Sequence, residues 1–192
     1  PSLVWQFYQR RRRQLQDVEP NAAHVALSEL QNGLDRMVLI TQNVDNLHER
    51  GGSSDVIHMH GRLETLRCEA TGRHETRMND TDFGEDFLLC NCCAHPVRLR
   101  PDIVWFGEAL PVAAWQMAEE AAANCDVFMS IGTSSLVYPA AGLAQLAKQN
   151  GAKIIEVNPN PTPSTVVDIT LAAKAGAVMP VLITQLTDKT DK

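Results

Sequence analysis

Met37-Val38-Leu39-Ile40 runs into Thr41-Gln42-Asn43-Val44-Asp45-Asn46-Leu47-His48-Glu49-Arg50 and, past two glycines, into Val56-Ile57-His58-Met59-His60-Gly61. Four apolar residues in a row are the signature of a buried strand. A burst of amides, carboxylates and imidazoles follows them directly. Open α/β sheets present ligand sites in this way, at the carboxyl ends of their strands. Val56-Ile57 is a second apolar step, leading into two histidines. Strand alternation puts His58 and His60 on one face and Met59 on the other. A polar loop with two surface histidines would read the same.

Outward from this stretch, 192 residues suffice for one sizeable domain, or for one with a small insert. A net charge of -6 and a pI near 5.5 argue against a dedicated nucleic-acid binder, though not against a basic peptide as partner. No apolar run approaches the ~18 residues of a membrane helix, and no secretory signal opens the chain. A cytoplasmic, monomeric protein without membrane or nucleic-acid partners is the expectation. A chain that begins on Pro1 is also expected to be truncated or processed at its N-terminus.

Leu3 to Gln16 reads as a helix, with Arg10-Arg11-Arg12-Arg13 as a mostly solvated surface. Asn21 is placed to cap a second helix from Ala22, which Asn32-Gly33 ends. From Arg62 to Arg100 the chain turns polar, with little periodicity, and needs a staple to hold it. Ile103-Val104-Trp105-Phe106 reads as a strand ending at Gly107-Glu108. Helix and strand then alternate: Ala113–Asn124, Asp126–Ile131, Pro139–Gln149 and Lys153–Val157. Short loops between them imply a parallel pair with a right-handed crossover. Asp168-Ile169 starts a further short strand, and a last helix covers Met179 to about Leu186.

The chemistry gathers in three places. Gly132-Thr133-Ser134 follows a strand and suits phosphate or ribose, although many such turns merely connect elements. Asn158-Pro159 lies at the carboxyl end of the next strand. The Gly-x-Gly-x-x-Gly fingerprint is absent. Four of the five cysteines fall between positions 68 and 93. Cys90 and Cys93 form one zinc-type pair, but Cys68 stands alone because Thr71 occupies the position three residues on. The pattern is a zinc ribbon with Cys68, Cys90 and Cys93 as ligands and the fourth open among Cys92, His74 and His95.

Taken together, Thr41–His48, His58–Gly61, Leu99-Arg100-Pro101, Val104–Glu108, Gly132-Thr133-Ser134 and Asn158 resemble the sirtuins in motif, order and spacing, nearest to the bacterial CobB-like branch. The resemblance implies an NAD-dependent protein lysine deacylase with an α/β fold. A Rossmann-like parallel sheet with helices on both faces (21–61 and 99–192) would bind NAD. A zinc-ribbon-like insert (62–98) and a helical part (1–20) would complete a small domain. His60 would be the general base, accepting a proton from the nicotinamide ribose hydroxyls. An imidazole that exchanges protons near neutral pH suits this role. The acyl-lysine carbonyl oxygen would displace nicotinamide, and the acyl group would end on ADP-ribose. Gln42, Asn43, Val44 and Asp45 would hold the ribose and carboxamide. Gly132, Thr133, Ser134, Asn158, Pro159 and Asn160 would contact the adenosine side, with Ala175, read in a loop, near the adenine. Val104, Phe106, Gly107 and Glu108 would pair with the substrate peptide as an added strand. His58 would be structural.

Tyr8 and Arg11 resemble the Tyr-x-x-Arg pair of the branch that removes acidic acyl groups. Spacing of three puts both on one helix face, where a guanidinium can bind a carboxylate in two-pronged fashion. Removal of succinyl or malonyl beside acetyl follows, from acylated lysines of other proteins. The family's Gly-Ala-Gly-Ile-Ser segment, its Arg-bearing cofactor loop and the associated first strand do not appear in these residues. Two other readings use the same features. One is a non-catalytic zinc-ribbon or NAD-binding interaction module, which would release no nicotinamide. The other is a Rossmann oxidoreductase, which would reduce it.

Overall fold

A computed structural model describes residues 2–77, 87–133, 142–161 and 163–187. In chain order the elements are α1 (Ser2–Gln16), α2 (Ala22–Gly33), β1 (Ile40–Thr41), α3 (Leu47–Arg50), β2 (Ile57–His58), β3 (Gly61–Cys68), β4 (His74–Arg77), β5 (Leu99–Ile103), α4 (Val112–Ala123), β6 (Val127–Ile131), α5 (Gly142–Gln149), β7 (Lys153–Val157), β8 (Ile169–Leu171) and α6 (Ala175–Thr187). They divide into two compact units. The first comprises Pro1–Glu19, Asn43–Asn46 and His60–Pro111; the second comprises Pro20–Gln42, Leu47–Met59 and Val112–Lys192.

The second unit is parallel α/β. β6, β7 and β8 pair in register in that order, all parallel, and β1 pairs parallel with β2. The strand-helix-strand pattern read from Asp126 to Val157 is thus realised as β6, α5 and β7. Val157, Leu39 and Val56 form one core with Ala23, Ala26, Leu27 and Leu30 of α2 and Met179 and Ile183 of α6. Helix α2 starts where its cap predicts. The Asn21 side chain accepts from the Ala23 and His24 amides, and the His24 ring nitrogen accepts from the Asn21 amide at 3.0 Å. That is a capping box closed by an imidazole in place of the usual Glu. Asp168 accepts from the Ile154 amide at 2.8 Å and from Lys148, which together hold its carboxyl below the usual range.

In the first unit, β3 is flanked by β4 and β5 in an antiparallel sheet. Its core is thin. Trp5, Leu66 and Leu99 pack with Cys68 and Cys90, and Phe87, Cys92, Cys93 and Val97 lie against them. Trp5 anchors α1 here, with Gln9 and Arg12 buried alongside. Arg12 is the exception to a solvated arginine run: it is buried and donates to Gln9 Oε1 at 3.0 Å.

Several boundaries differ from expectation. β2 ends at His58, so His60 lies in the turn beyond it and the alternation does not carry that far. β5 ends at Ile103, not Phe106, and Val104 to Glu108 form a turn instead. Ala175 opens α6 and is not in a loop. Ser134 and Pro139 lie outside the described residues.

Gly61 marks the start of β3 with φ +80, and a Cβ there would sit 1.9 Å from the Asp102 carbonyl oxygen. β3 and β5 meet at this point, Gly61 opposite Ile103. Gly61→Ala is expected to cost at least about 2 kcal/mol through clash and a left-handed backbone. A thermal melt should read this as a drop of roughly 4–8 °C. An unchanged midpoint would contradict the close approach.

Candidate functional site

Each unit carries its own group of site residues. In the first, the segment Asn43–Asn46 is tied to the start of β3. Leu63 donates its amide to the Val44 carbonyl at 2.7 Å, and the Asn46 side-chain amide donates to Glu64. His60 is held by its own main chain, its carbonyl accepting from the Val104 amide at 2.9 Å. Val44 and Asn46 are thus braced on β3, and His60 on the segment after β5. Asn43 is exposed, whereas Val44, Asp45 and His60 are half-buried.

The turn after β5 is shaped by Glu108. Its carboxylate accepts from the Trp105 amide at 2.9 Å and from Arg67 Nη2 at 2.8 Å. Arg100 meets it with two guanidinium nitrogens, a two-pronged pair. Arg100 above all holds this carboxyl down to about 2. The resulting stabilisation is complete above the ordinary carboxylate range and is lost only as pH falls towards about 2. The Glu108 amide closes the turn on the Trp105 carbonyl, and Gly107 takes φ +88. Phe106 at the tip is fully exposed, at 101%.

Helix α1 brings Tyr8 to this turn, its ring stacked on Trp105 with centroids 6.4 Å apart. Arg11 faces Phe7 at 5.2 Å and donates to Gln14. Tyr8 meets the same Phe7 edge-on at 5.1 Å. Both predicted residues thus flank one phenyl ring on the helix surface.

The sulfurs of Cys68, Cys90, Cys92 and Cys93 lie within 4.8 Å of one another. A tetrahedral zinc with bonds of about 2.3 Å spaces its sulfurs by roughly 3.8 Å. Cys68 to Cys93 measures 3.7 Å and Cys92 to Cys93 measures 3.8 Å. The donor set fits zinc, and Cys92 fills the open fourth place. His74 is engaged elsewhere, with Nδ1 2.9 Å from Asp102. The Thr71 hydroxyl favours a thiolate at Cys68, holding it near 6, while hydrogen bonding from Cys90 pushes Cys93 up to about 12. Four adjacent thiols cannot all ionise without a cation among them, and a bound Zn²⁺ supplies that charge.

In the second unit, three loops meet through side chains. The Gln42 amide donates to Thr133 Oγ1 at 3.4 Å, and Asn158 Nδ2 donates to the Thr133 carbonyl at 2.9 Å. Asn158 Oδ1 in turn accepts from the Asn160 amide at 3.1 Å. These loops follow β1, β6 and β7. Gly132 has φ +64 with open space around it, and its amide reaches the Val157 carbonyl. Amides, hydroxyls and a bare backbone at strand carboxyl ends match the hydroxyl-rich surface of a nucleotide. Pro159 is exposed beside Asn158, and Ala175 is half-buried at the head of α6. His58 is buried and pairs with Glu49 at 2.8 Å, a structural arrangement.

Sequence reasoning missed Arg67 and Arg100. Only the turn geometry reveals them, since an arginine in a strand carries no signal of its partner.

The Sir2 family profile matches residues 1–139. The NAD-dependent protein deacylase of Vibrio vulnificus (strain YJ016) is 47% identical over 165 residues, covering 84% of this chain. The chain spans 65% of that relative's length. A Sir2 homologue solved as its NAD complex superposes with a TM-score of 0.88 at 39% identity, covering 98% of this chain and 73% of the other. Sir2Af2 bound to a myristoylated histone peptide gives 0.81 at 35% identity, covering all of this chain and 82% of the other. No helix among the described residues is long and apolar enough to cross a membrane.

Proposed function

Because the chain belongs to the Sir2 family, we propose that it acts as an NAD-dependent protein lysine deacylase. The observation that carries this reading is the Gln42, Thr133, Asn158 and Asn160 network, which joins three strand-end loops into one polar, nucleotide-like cradle. Its residues are those the sequence reading assigned to NAD. NAD, when bound, supplies a ribose carbon from which nicotinamide departs, so that an acyl group can leave lysine for ADP-ribose.

The chain's own residues then have separate tasks. Asn43, Val44 and Asp45 hold the nicotinamide side, offering amide and carboxylate partners to carboxamide and hydroxyl groups. Gly132, Thr133, Asn158, Pro159 and Asn160 hold the adenosine side, and Ser134 is assigned there as well. Ala175 lines the adenine from the first turn of α6. His60 takes the proton from a ribose hydroxyl at a ring nitrogen, as general base. Val104, Phe106 and Gly107 offer main-chain groups to the acylated peptide. Phe106 makes no hydrogen bond among the described residues, and so its amide and carbonyl are open to pairing with an extended chain. Cys68, Cys90, Cys92 and Cys93 hold zinc as a structural ion, away from proton transfer.

Tyr8 and Arg11 select the acyl group. Their shared helix face and the aromatic floor of Phe7 and Trp105 support a preference for succinyl or malonyl over acetyl. The protein works as a cytoplasmic monomer on acylated lysines of other proteins, without nucleic acid or membrane as partner.

The test pairs succinyl-lysine and acetyl-lysine peptides with NAD and reads nicotinamide and O-acyl-ADP-ribose by mass spectrometry. Product with a succinyl preference is expected. Arg11→Gln and Tyr8→Phe should each lower the succinyl-to-acetyl ratio of kcat/KM at least tenfold, by about the worth of a charge-assisted hydrogen bond. Folded protein that releases no nicotinamide would instead support the zinc-ribbon interaction module, which the four-cysteine cluster alone would allow.

A further inference from the structure

We propose that Arg100, Arg67 and Glu108 are positioning residues that hold Val104 to Gly107 in the shape that accepts the peptide. The proposal rests on the deacylase reading and concerns how its peptide-binding turn is kept open.

The turn has few other supports. β5 stops at Ile103, and beyond it the Val104 amide reaches His60 while Trp105 and Glu108 close one backbone bond. Three further bonds that shape the segment converge on the Glu108 carboxylate. It takes the Trp105 amide from within the turn, Arg67 from β3 and Arg100 from β5. Arg100 does three things at once. It grips the carboxylate in two-pronged fashion, donates to the Ile103 carbonyl at 2.9 Å, and stacks its guanidinium 3.3 Å over the Trp105 ring. Trp105 in turn stacks with Tyr8. A single guanidinium thus locks the last strand residue, the turn and the aromatic floor of α1.

The consequence for binding follows from which groups this clasp occupies. It consumes the Trp105 amide and the Ile103 carbonyl, and it leaves Phe106 exposed with no hydrogen bond among the described residues. A peptide adding a strand needs such open main-chain groups held in fixed positions, since ordering a loose turn on binding would cost affinity. Glu108 acts through this geometry: its oxygens already have three partners, so it is a brace, not a substrate contact. Arg67 adds one bond at 2.8 Å, whereas Arg100 needs its planar fork.

The experiment compares the wild-type chain with Glu108→Gln, Arg100→Lys and Arg67→Lys. Steady-state kinetics would use an acyl-lysine peptide and NAD, and fluorescence anisotropy would follow the same peptide labelled. Glu108→Gln keeps the side chain's size, so folding is preserved and is checked by thermal melting. Peptide KM and Kd should rise about tenfold in Glu108→Gln and Arg100→Lys, with the KM for NAD within twofold. Arg67→Lys should retain most of the binding because its contact with Glu108 is a single bond. Peptide KM unchanged in Glu108→Gln, or KM for NAD, KM for peptide and melting point moving together, would overturn the proposal. Nicotinamide release by the wild type with unaltered peptide binding in the variants sinks the clasp alone. Weakened peptide binding in the variants, with no nicotinamide release by the wild type, sinks the deacylase reading and leaves the clasp standing.

Discussion

His60→Ala is expected to lower acyl transfer to ADP-ribose by roughly 10²–10⁴-fold while leaving the fold intact. The magnitude is that of removing a positioned general base. The argument for an intact fold comes from how the residue is held. The His60 carbonyl, not its ring, accepts the Val104 amide. Gly61 is pressed against the Asp102 carbonyl, where no Cβ fits. The backbone path through 60 and 61 is therefore fixed by main-chain contacts on both sides, and alanine at 60 preserves them. Val44 and Asn46, on either side of Asp45, are braced by Leu63 and Glu64, which the substitution also leaves alone. The measurement is O-acyl-ADP-ribose formation at saturating peptide and NAD, with a melt of both proteins. A well-folded His60→Ala that retains more than a tenth of the wild-type rate would remove His60 from the base role. Loss of activity with a melting point lowered by several degrees would point to a structural part for the ring instead.

How much of this was legible in the sequence depended on whether the signal was local. Asn21 announced α2 because a cap acts within three residues. The β6, α5, β7 series showed through hydrophobic period and short loops. β3 did not, although it is the longest strand. Its alternation slips at Glu64 and Thr65, where the pairing with β5 jumps from Arg62 opposite Asp102 to Leu66 opposite Pro101, and charged Arg62, Glu64 and Arg67 fill the less buried positions. A period-2 reading fails at a bulge. The Val104-Trp105-Phe106 run looked like strand because all three are apolar. Gly107 at positive φ and the Glu108 carboxylate on the Trp105 amide turn it instead. Spacing left the fourth metal ligand open, since Cys92 and Cys93 are adjacent and a zinc pair normally skips two residues. The Ala-Gly-Ala start of α6 hid Ala175 inside a helix with little apolar pattern.

Removing zinc is expected to unfold the first unit, and the reason lies in what remains of its core without the metal. In the cluster around the sulfurs, the buried residues besides Cys68 and Cys90 are Trp5, Leu66 and Leu99. Cys68 and Cys90 are each 1% exposed, so the metal site is the centre of this core and not an ornament on it. Three apolar side chains are worth about 5–8 kcal/mol of burial between them. Ordering even a handful of residues costs about as much. The balance must come from coordination, as in small metal-stapled domains. Cys90→Ser or Cys68→Ser should abolish zinc binding and lower the thermal midpoint by at least about 6–12 °C, equivalent to about 3 kcal/mol. Cys125→Ser, outside the cluster, should leave both untouched. Metal analysis should find one zinc per chain, and a strong chelator should reproduce the cysteine variants. Because Trp5 anchors α1 in the same core, chelation should also free the helix that carries Tyr8 and Arg11. The loss would then appear in the succinyl preference before it appeared in binding of the adenosine side, whose Gln42, Thr133 and Asn158 network belongs to the second unit. A chelated protein that keeps its melting point and its acyl preference would show that the apolar core suffices and that the four sulfurs contribute packing alone.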